Sequence, residues 1–108
     1  MNDDLVRVRH ILDAAREALA FVDGRERADL DRDRKLALAL VRLIEVIGEA
    51  ASRVGPDFRA RHPEVPWAAI VAMRNRLIHA YYEVDPDRVW DTATVDLPPL
   101  VASLEPLV

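Results

Sequence analysis

Between Asp29 and Val54 the chain places Leu36, Leu40, Leu43, Ile44, Val46, Ile47, Ala50, Ala51 and Val54 at three- and four-residue spacings, and Gly55 followed by Pro56 closes the run. That period with that stop signal predicts one long helix from about Asp29 to Val54. At about 100° per residue these side chains spread over roughly half the circumference or more, too wide an arc for one packing neighbour to cover. The opposite strip, Lys35, Arg42, Glu45, Glu49, Ser52 and Arg53, reads as a solvated face. So broad an apolar arc in a chain of 108 residues is expected to be buried partly in its own core and partly against a second copy. A homodimer is the expectation.

The rest of the chain carries the same period. Leu5, Val8, Ile11, Leu12, Ala15, Leu19 and Val22 predict a first helix over residues 4–22, which Gly24 interrupts. Arg25 to Lys35 interleaves five cations with four anions and reads as a solvated turn with the first helical turns behind it. Pro56, Pro63 and Pro66 allow at most one short helical turn over residues 56–66. Pro66 is placed to begin a third helix running from Trp67 to about Tyr82. Asp85-Pro86 reads as N-cap and first residue of a fourth, through Val89, Trp90 and Ala93. Asp96-Leu97-Pro98-Pro99 must kink or restart it before an apolar tail over Leu100 to Leu107. Sixteen alanines against three glycines favour helix throughout. One domain over residues 1–108 is expected, all-α, an antiparallel bundle of four to five helices.

Several function classes fall away. There is no cysteine, hence no disulfide framework and no thiolate metal site or nucleophile, and a reducing cytoplasm is expected. No apolar run approaches the roughly 20 residues needed to span a bilayer, and Met1-Asn2-Asp3-Asp4 is acidic where a secretory signal is basic, so no membrane association is expected. A net charge of -4 supplies no global positive field, so any contact with nucleic acid must be local.

The informative stretch is Met73-Arg74-Asn75-Arg76-Leu77-Ile78-His79-Ala80-Tyr81-Tyr82. Projected on a helix, Arg74 falls on the buried arc marked by Trp67, Ile70, Val71, Leu77 and Ile78, and Arg76 falls outside it. A guanidinium on a buried face needs a carboxylate, here Glu45 or Glu49 of the preceding long helix, or else an anionic ligand at a surface gap. Asn75 and His79, four residues apart, would share a face, so that the amide orients the imidazole. Arg74 and His79 would lie about 140° apart, too far to grip one phosphate from a single straight helix, whereas two copies meeting near a two-fold axis could line one groove with both. Tyr81, seven residues beyond Arg74, would return near the arginine's face; both tyrosines also read as amphipathic packing residues. Fourteen arginines and three histidines give roughly 0.4 chance occurrences of Arg-x4-His, and a tyrosine two residues later lowers that below about 0.01.

Arg74-Asn75-Arg76-Leu77-Ile78-His79-Ala80-Tyr81 resembles the Arg-x4-His-x-Tyr signature of HepT-like proteins, in the HEPN superfamily of small helical ribonucleases. The resemblance extends to Ile47-Gly48-Glu49-Ala50-Ala51, to Pro66-Trp67, and to Val89-Trp90 followed by Asp96-Leu97-Pro98. It implies a HEPN-type bundle, dimeric with the motif at the interface, and metal-independent cleavage of RNA, not DNA, without a cofactor. It further implies the toxin half of a type VII toxin–antitoxin pair. The partner implied is an MNT-type minimal nucleotidyltransferase, which silences the toxin by transferring AMP from ATP to the motif tyrosine, here Tyr81.

The chemistry of the residues agrees. Metal-free RNA cleavage needs the ribose 2′-OH to attack the neighbouring phosphorus, helped by an acid or base near neutrality and a cation for the developing charge. Imidazole, ordinarily titrating near 6.5, suits His79 to the first role, and a permanently charged planar guanidinium suits Arg74 to the second, with Asn75 in support. Two other readings stay open: a catalytically silent adaptor that binds a nucleotidyltransferase or a nucleotide, and a purely structural dimer in which Arg74 is buried against Glu45 or Glu49.

Overall fold

The computed structural model describes residues 3–79 and 83–108, and of residues 78, 79 and 83 the backbone alone. Helix α1 (Asp3–Val22) buries Val8, Ile11, Leu12, Ala15 and Ala18, the stripe its spacing dictates. It ends at Gly24, whose φ of +73° lies in the left-handed region that costs an L side chain energy. The expected single helix over 29–54 is instead two: α2 (Asp29–Arg32) and α3 (Arg34–Ser52). Asp33 separates them. Its backbone is extended, and its carboxylate accepts a hydrogen bond from the Leu36 N–H at 3.1 Å, capping α3.

Helices α1 and α3 form the central pair. They run antiparallel, because Asp4 at the start of α1 accepts a hydrogen bond at 2.8 Å from the Gly55 N–H just beyond α3. The C-terminal carbonyls of α3 are met by α4 (Pro56–Arg61), from which Arg59 donates to the Ala51 and Val54 oxygens at 2.6 and 3.1 Å. Helix α5 (Trp67–Met73) packs on α3, and Trp67 anchors it by donating from its indole nitrogen to the His62 carbonyl at 2.9 Å.

Beyond Met73 the expected helix through Tyr82 does not continue, and the shared-face relations projected on it are corrected accordingly. Arg74–Arg76 make one 3₁₀ turn, Leu77 is fully buried, and β1 (Ile78–His79) pairs antiparallel with β2 (Glu83–Val84), Ile78 opposite Val84 and His79 opposite Glu83. The cause is a long-range hydrogen bond: the Leu77 carbonyl accepts from the Asp85 N–H at 2.8 Å, so it is not free to serve a following helical turn. Ile78 and Val84, β-branched, suit the extended pairing.

Asp85 then caps α6 (Pro86–Asp91), accepting from the Asp87 and Arg88 N–H groups at 3.0 and 3.2 Å, with Pro86 in the first turn, as the sequence predicts. The proline pair restarts the helix: a π-helical turn over Thr92–Asp96 leads into α7 (Leu97–Leu104) and a closing 3₁₀ turn. Helix α7 packs on α1, with Arg16 and Glu105 paired at 2.7 Å. One hydrophobic cluster joins the seven described helices, none of which is long and apolar enough to cross a membrane. Most of the apolar arc of α3 is covered within the chain; Leu38 stays 47% exposed, and Leu43 and Val46 are half-buried.

Candidate active site

The site is built where the turn after α5 meets the outer edge of α3. Arg74 leaves the end of α5 and lays its side chain across Gly48, a buried residue near the C-terminal end of α3. A Cβ at residue 48 would meet the Arg74 Cδ at 3.1 Å, so the bare Cα lets the stem lie a few tenths of an ångström closer than a larger residue would. Beyond Gly48 the guanidinium donates to Glu49 Oε2 at 3.0 Å. The other carboxylate oxygen, Oε1, accepts from Arg53 at 2.8 Å, one helical turn further along α3. Of the two carboxylates the sequence offered, the packing of α5 on α3 selects Glu49, not Glu45.

This arrangement holds the cation at the surface. The Arg74 side chain keeps 36% of its exposure, so an anion can reach the guanidinium. The hydrogen bond from Arg74, and then that from Arg53, hold the Glu49 carboxyl below its ordinary value, so Glu49 is ionised throughout the neutral range. Glu49 is itself half-exposed, so the pair orients Arg74 more than it stabilises the fold.

Asn75 stands exposed in the same 3₁₀ turn, and Arg76, also exposed, is directed away toward the groove between α5 and α7. The backbone of His79 lies in β1, five residues past Arg74 but beyond the end of the helix, so the 140° separation of a straight helix does not apply. The His79 side chain and Tyr81 lie outside the described residues. The structure therefore brings together Arg74, Gly48, Glu49 and Arg53, and places the His79 backbone in the hairpin that follows. Gly48 and Glu49 were visible in the sequence as part of a resembling segment. Their role as seat and clamp for Arg74 is a tertiary relation that no local spacing carries.

A helical bundle with a surface-held arginine ahead of a histidine-bearing hairpin defines a class, and similarity to known proteins gives it its family. The family model described as Ribonuclease HepT-like matches residues 11–107, and the chain belongs to that family. Its relatives include a Thermococcus cleftensis protein named as a probable ribonuclease HepT, 43% identical over 75 residues that make up 69% of this chain and 68% of that one. A Caldanaerobacter subterraneus protein with the provisional name of an RNase is 37% identical over 86% of this chain and 83% of its own length. A Methanocaldococcus jannaschii protein, also provisionally named an RNase, is 32% identical over 91% of this chain and 81% of its own. Comparison with solved structures gives no significant match.

Proposed function

We propose that this protein is a metal-independent endoribonuclease that cleaves RNA by attack of the ribose 2′-OH on the adjacent phosphorus. The observation that carries the reading is the Arg74 guanidinium, held half-exposed over Gly48 in a chain of the HepT-like family. Arg74 binds the scissile phosphate and neutralises the charge that grows on it; its planar fork matches two phosphate oxygens. His79 moves the proton, taking it from the 2′-OH or delivering it to the departing 5′-oxygen, and Asn75 supports the imidazole or the phosphate. The products are a 2′,3′-cyclic phosphate and a 5′-OH. Purified protein incubated with RNA in EDTA is expected to generate those ends; RNA left intact in EDTA but cleaved with added divalent metal would refute metal independence.

The cellular setting belongs to the same proposal: a cytoplasmic toxin, homodimeric, paired with an MNT-type nucleotidyltransferase antitoxin that adds AMP to Tyr81. The exposed Leu38 and half-exposed Leu43 on α3 support a second copy docking there. In this proposal the phosphate of an adenylyl group on Tyr81 pairs with Arg74 through charge-assisted hydrogen bonds and closes the site to RNA. Peptide mass spectrometry after incubation with the cognate nucleotidyltransferase and ATP is expected to place the AMP on Tyr81; an adduct on Tyr82 alone would refute this step.

The Arg74–Glu49 pair also favours a second reading, a silent adaptor in which that ion pair only fixes a surface for the nucleotidyltransferase. Cleavage in EDTA separates the two.

A further inference from the structure

Alongside the Arg74 clamp, α1 and α3 enclose a shallow groove of about 240 Å³ lined by Arg7, His10, Arg42, Glu49 and Arg53 among others. Three guanidiniums face one carboxylate there, in a chain whose net charge is -4. The single carboxylate, Glu49, is already shared between Arg53 and Arg74. Asp4, the nearest acid to Arg7 in sequence, is engaged with the Gly55 N–H. Among the described residues neither Arg7 nor Arg42 has a carboxylate partner, and the Arg7 Nε is shielded from solvent without a hydrogen bond. Guanidiniums that lack a carboxylate partner keep their donors for an anion that enters the groove.

We propose that this groove is a phosphodiester subsite that takes the backbone of single-stranded RNA flanking the scissile phosphate. The proposal rests on the ribonuclease reading and extends it from one phosphate to a track. Arg42 on α3 and Arg53, which caps the end of that helix, are eleven positions apart, about 16 Å at roughly 1.5 Å per residue, a span for several successive phosphates. Glu49 joins the track to the reaction centre, because the carboxylate that holds Arg53 in the groove also holds Arg74 over Gly48. As phosphates arrive, they replace Glu49 as partner of both cations. Among the described residues no Phe, Tyr or Trp lines the groove, so it grips the backbone without stacking bases, and the grip is independent of sequence.

The test compares native protein with Arg7→Ala/Arg42→Ala, and with a control, Arg9→Ala/Arg61→Ala, that removes two exposed cations from outside the groove. Affinity for an uncleavable 2′-O-methylated oligonucleotide is measured by fluorescence anisotropy over a series of KCl concentrations. The groove variant is expected to bind with a log–log salt slope shallower by about 1.4, which is about 0.7 for each single-strand phosphate that the protein ceases to neutralise, while the control keeps the native slope. On substrates, kcat/KM for a long RNA is expected to fall about tenfold in the groove variant, with that for a dinucleotide unchanged. A slope equal to that of the control overturns the proposal and leaves the cations to an acidic protein surface. An equal loss on dinucleotide and long RNA also overturns it, since the damage then lies at the reaction centre. If the native protein cleaves neither substrate, the ribonuclease reading falls by itself, and the groove is still judged by the slope.

Discussion

Gly48 is the seat of Arg74: the arginine stem crosses the bare Cα of α3 so closely that an added Cβ would stand 3.1 Å from Cδ and 3.3 Å from Cγ. An arginine that leaves one helix, crosses the next and emerges with its charge half-exposed is expensive to arrange if the purpose is only an ion pair between two exposed side chains. The arrangement makes sense if the guanidinium is kept for an anion.

Gly48→Ala separates these purposes. Alanine in the middle of a helix is favoured over glycine by about 0.5–1 kcal/mol, and the atoms that must give way belong to a flexible side chain. The variant is expected to fold, with the Arg74 stem pushed back by a few tenths of an ångström, while its ribonuclease kcat/KM falls about tenfold, because displacement of a positioned group by a fraction of an ångström is costly to rate. Native activity in a stable Gly48→Ala protein would show that the seat has no catalytic consequence.

Glu49 has a signature in pH. Its carboxyl is lowered in the folded protein by Arg74 first and Arg53 second, so folding favours its ionised form. The resulting contribution to stability is fully present above the ordinary carboxylate range, and disappears as pH falls from there through the lowered value. Urea melts at a series of pH values should therefore show native protein more stable than Glu49→Gln at neutrality, with the gap closing in acid. A gap that stays constant into acid would mean that Glu49 acts through packing and not through its charge.

Two caps are expected to contribute alike. Asp33 accepts from Leu36, and Asp85 accepts from Asp87 and Arg88. Replacing either by alanine should lower unfolding free energy by about 1 kcal/mol, read from urea midpoints at constant slope. A loss near zero for Asp85→Ala would show that Pro86 and the backbone bond to Leu77 start α6 without the carboxylate.

Of these caps only Asp85 was legible in the sequence, because Asp-Pro before an apolar repeat is a local signal. Asp33 was hidden: it is one of four acids in the charged run from Arg25 to Lys35, and the apolar period, which begins only at Leu36, does not select among them. The end of α5 was hidden for a similar reason. Leu77 and Ile78 continue the helical spacing past Met73 with no glycine or proline to mark a stop, and the stop comes from the Asp85 N–H, eight residues away. Arg74 was legible as an arginine in need of a carboxylate, but the choice between Glu45 and Glu49 depended on the register of α5 against α3. The cationic groove was half-visible, since Arg42, Glu49 and Arg53 share a strip of one helix; Arg7 and His10 join it only through the antiparallel docking of α1.

The most direct test of the central claim is RNA cleavage in EDTA under single-turnover conditions by native protein, Arg74→Ala and His79→Ala, each first shown by circular dichroism to be folded. Native protein is expected to leave 2′,3′-cyclic phosphate ends, Arg74→Ala to be slower by about 10²–10³, and His79→Ala by about 10²–10⁴. Cleavage at the native rate by a folded Arg74→Ala protein would contradict the assignment of Arg74 as the phosphate-binding cation, and with it the reading of the whole site.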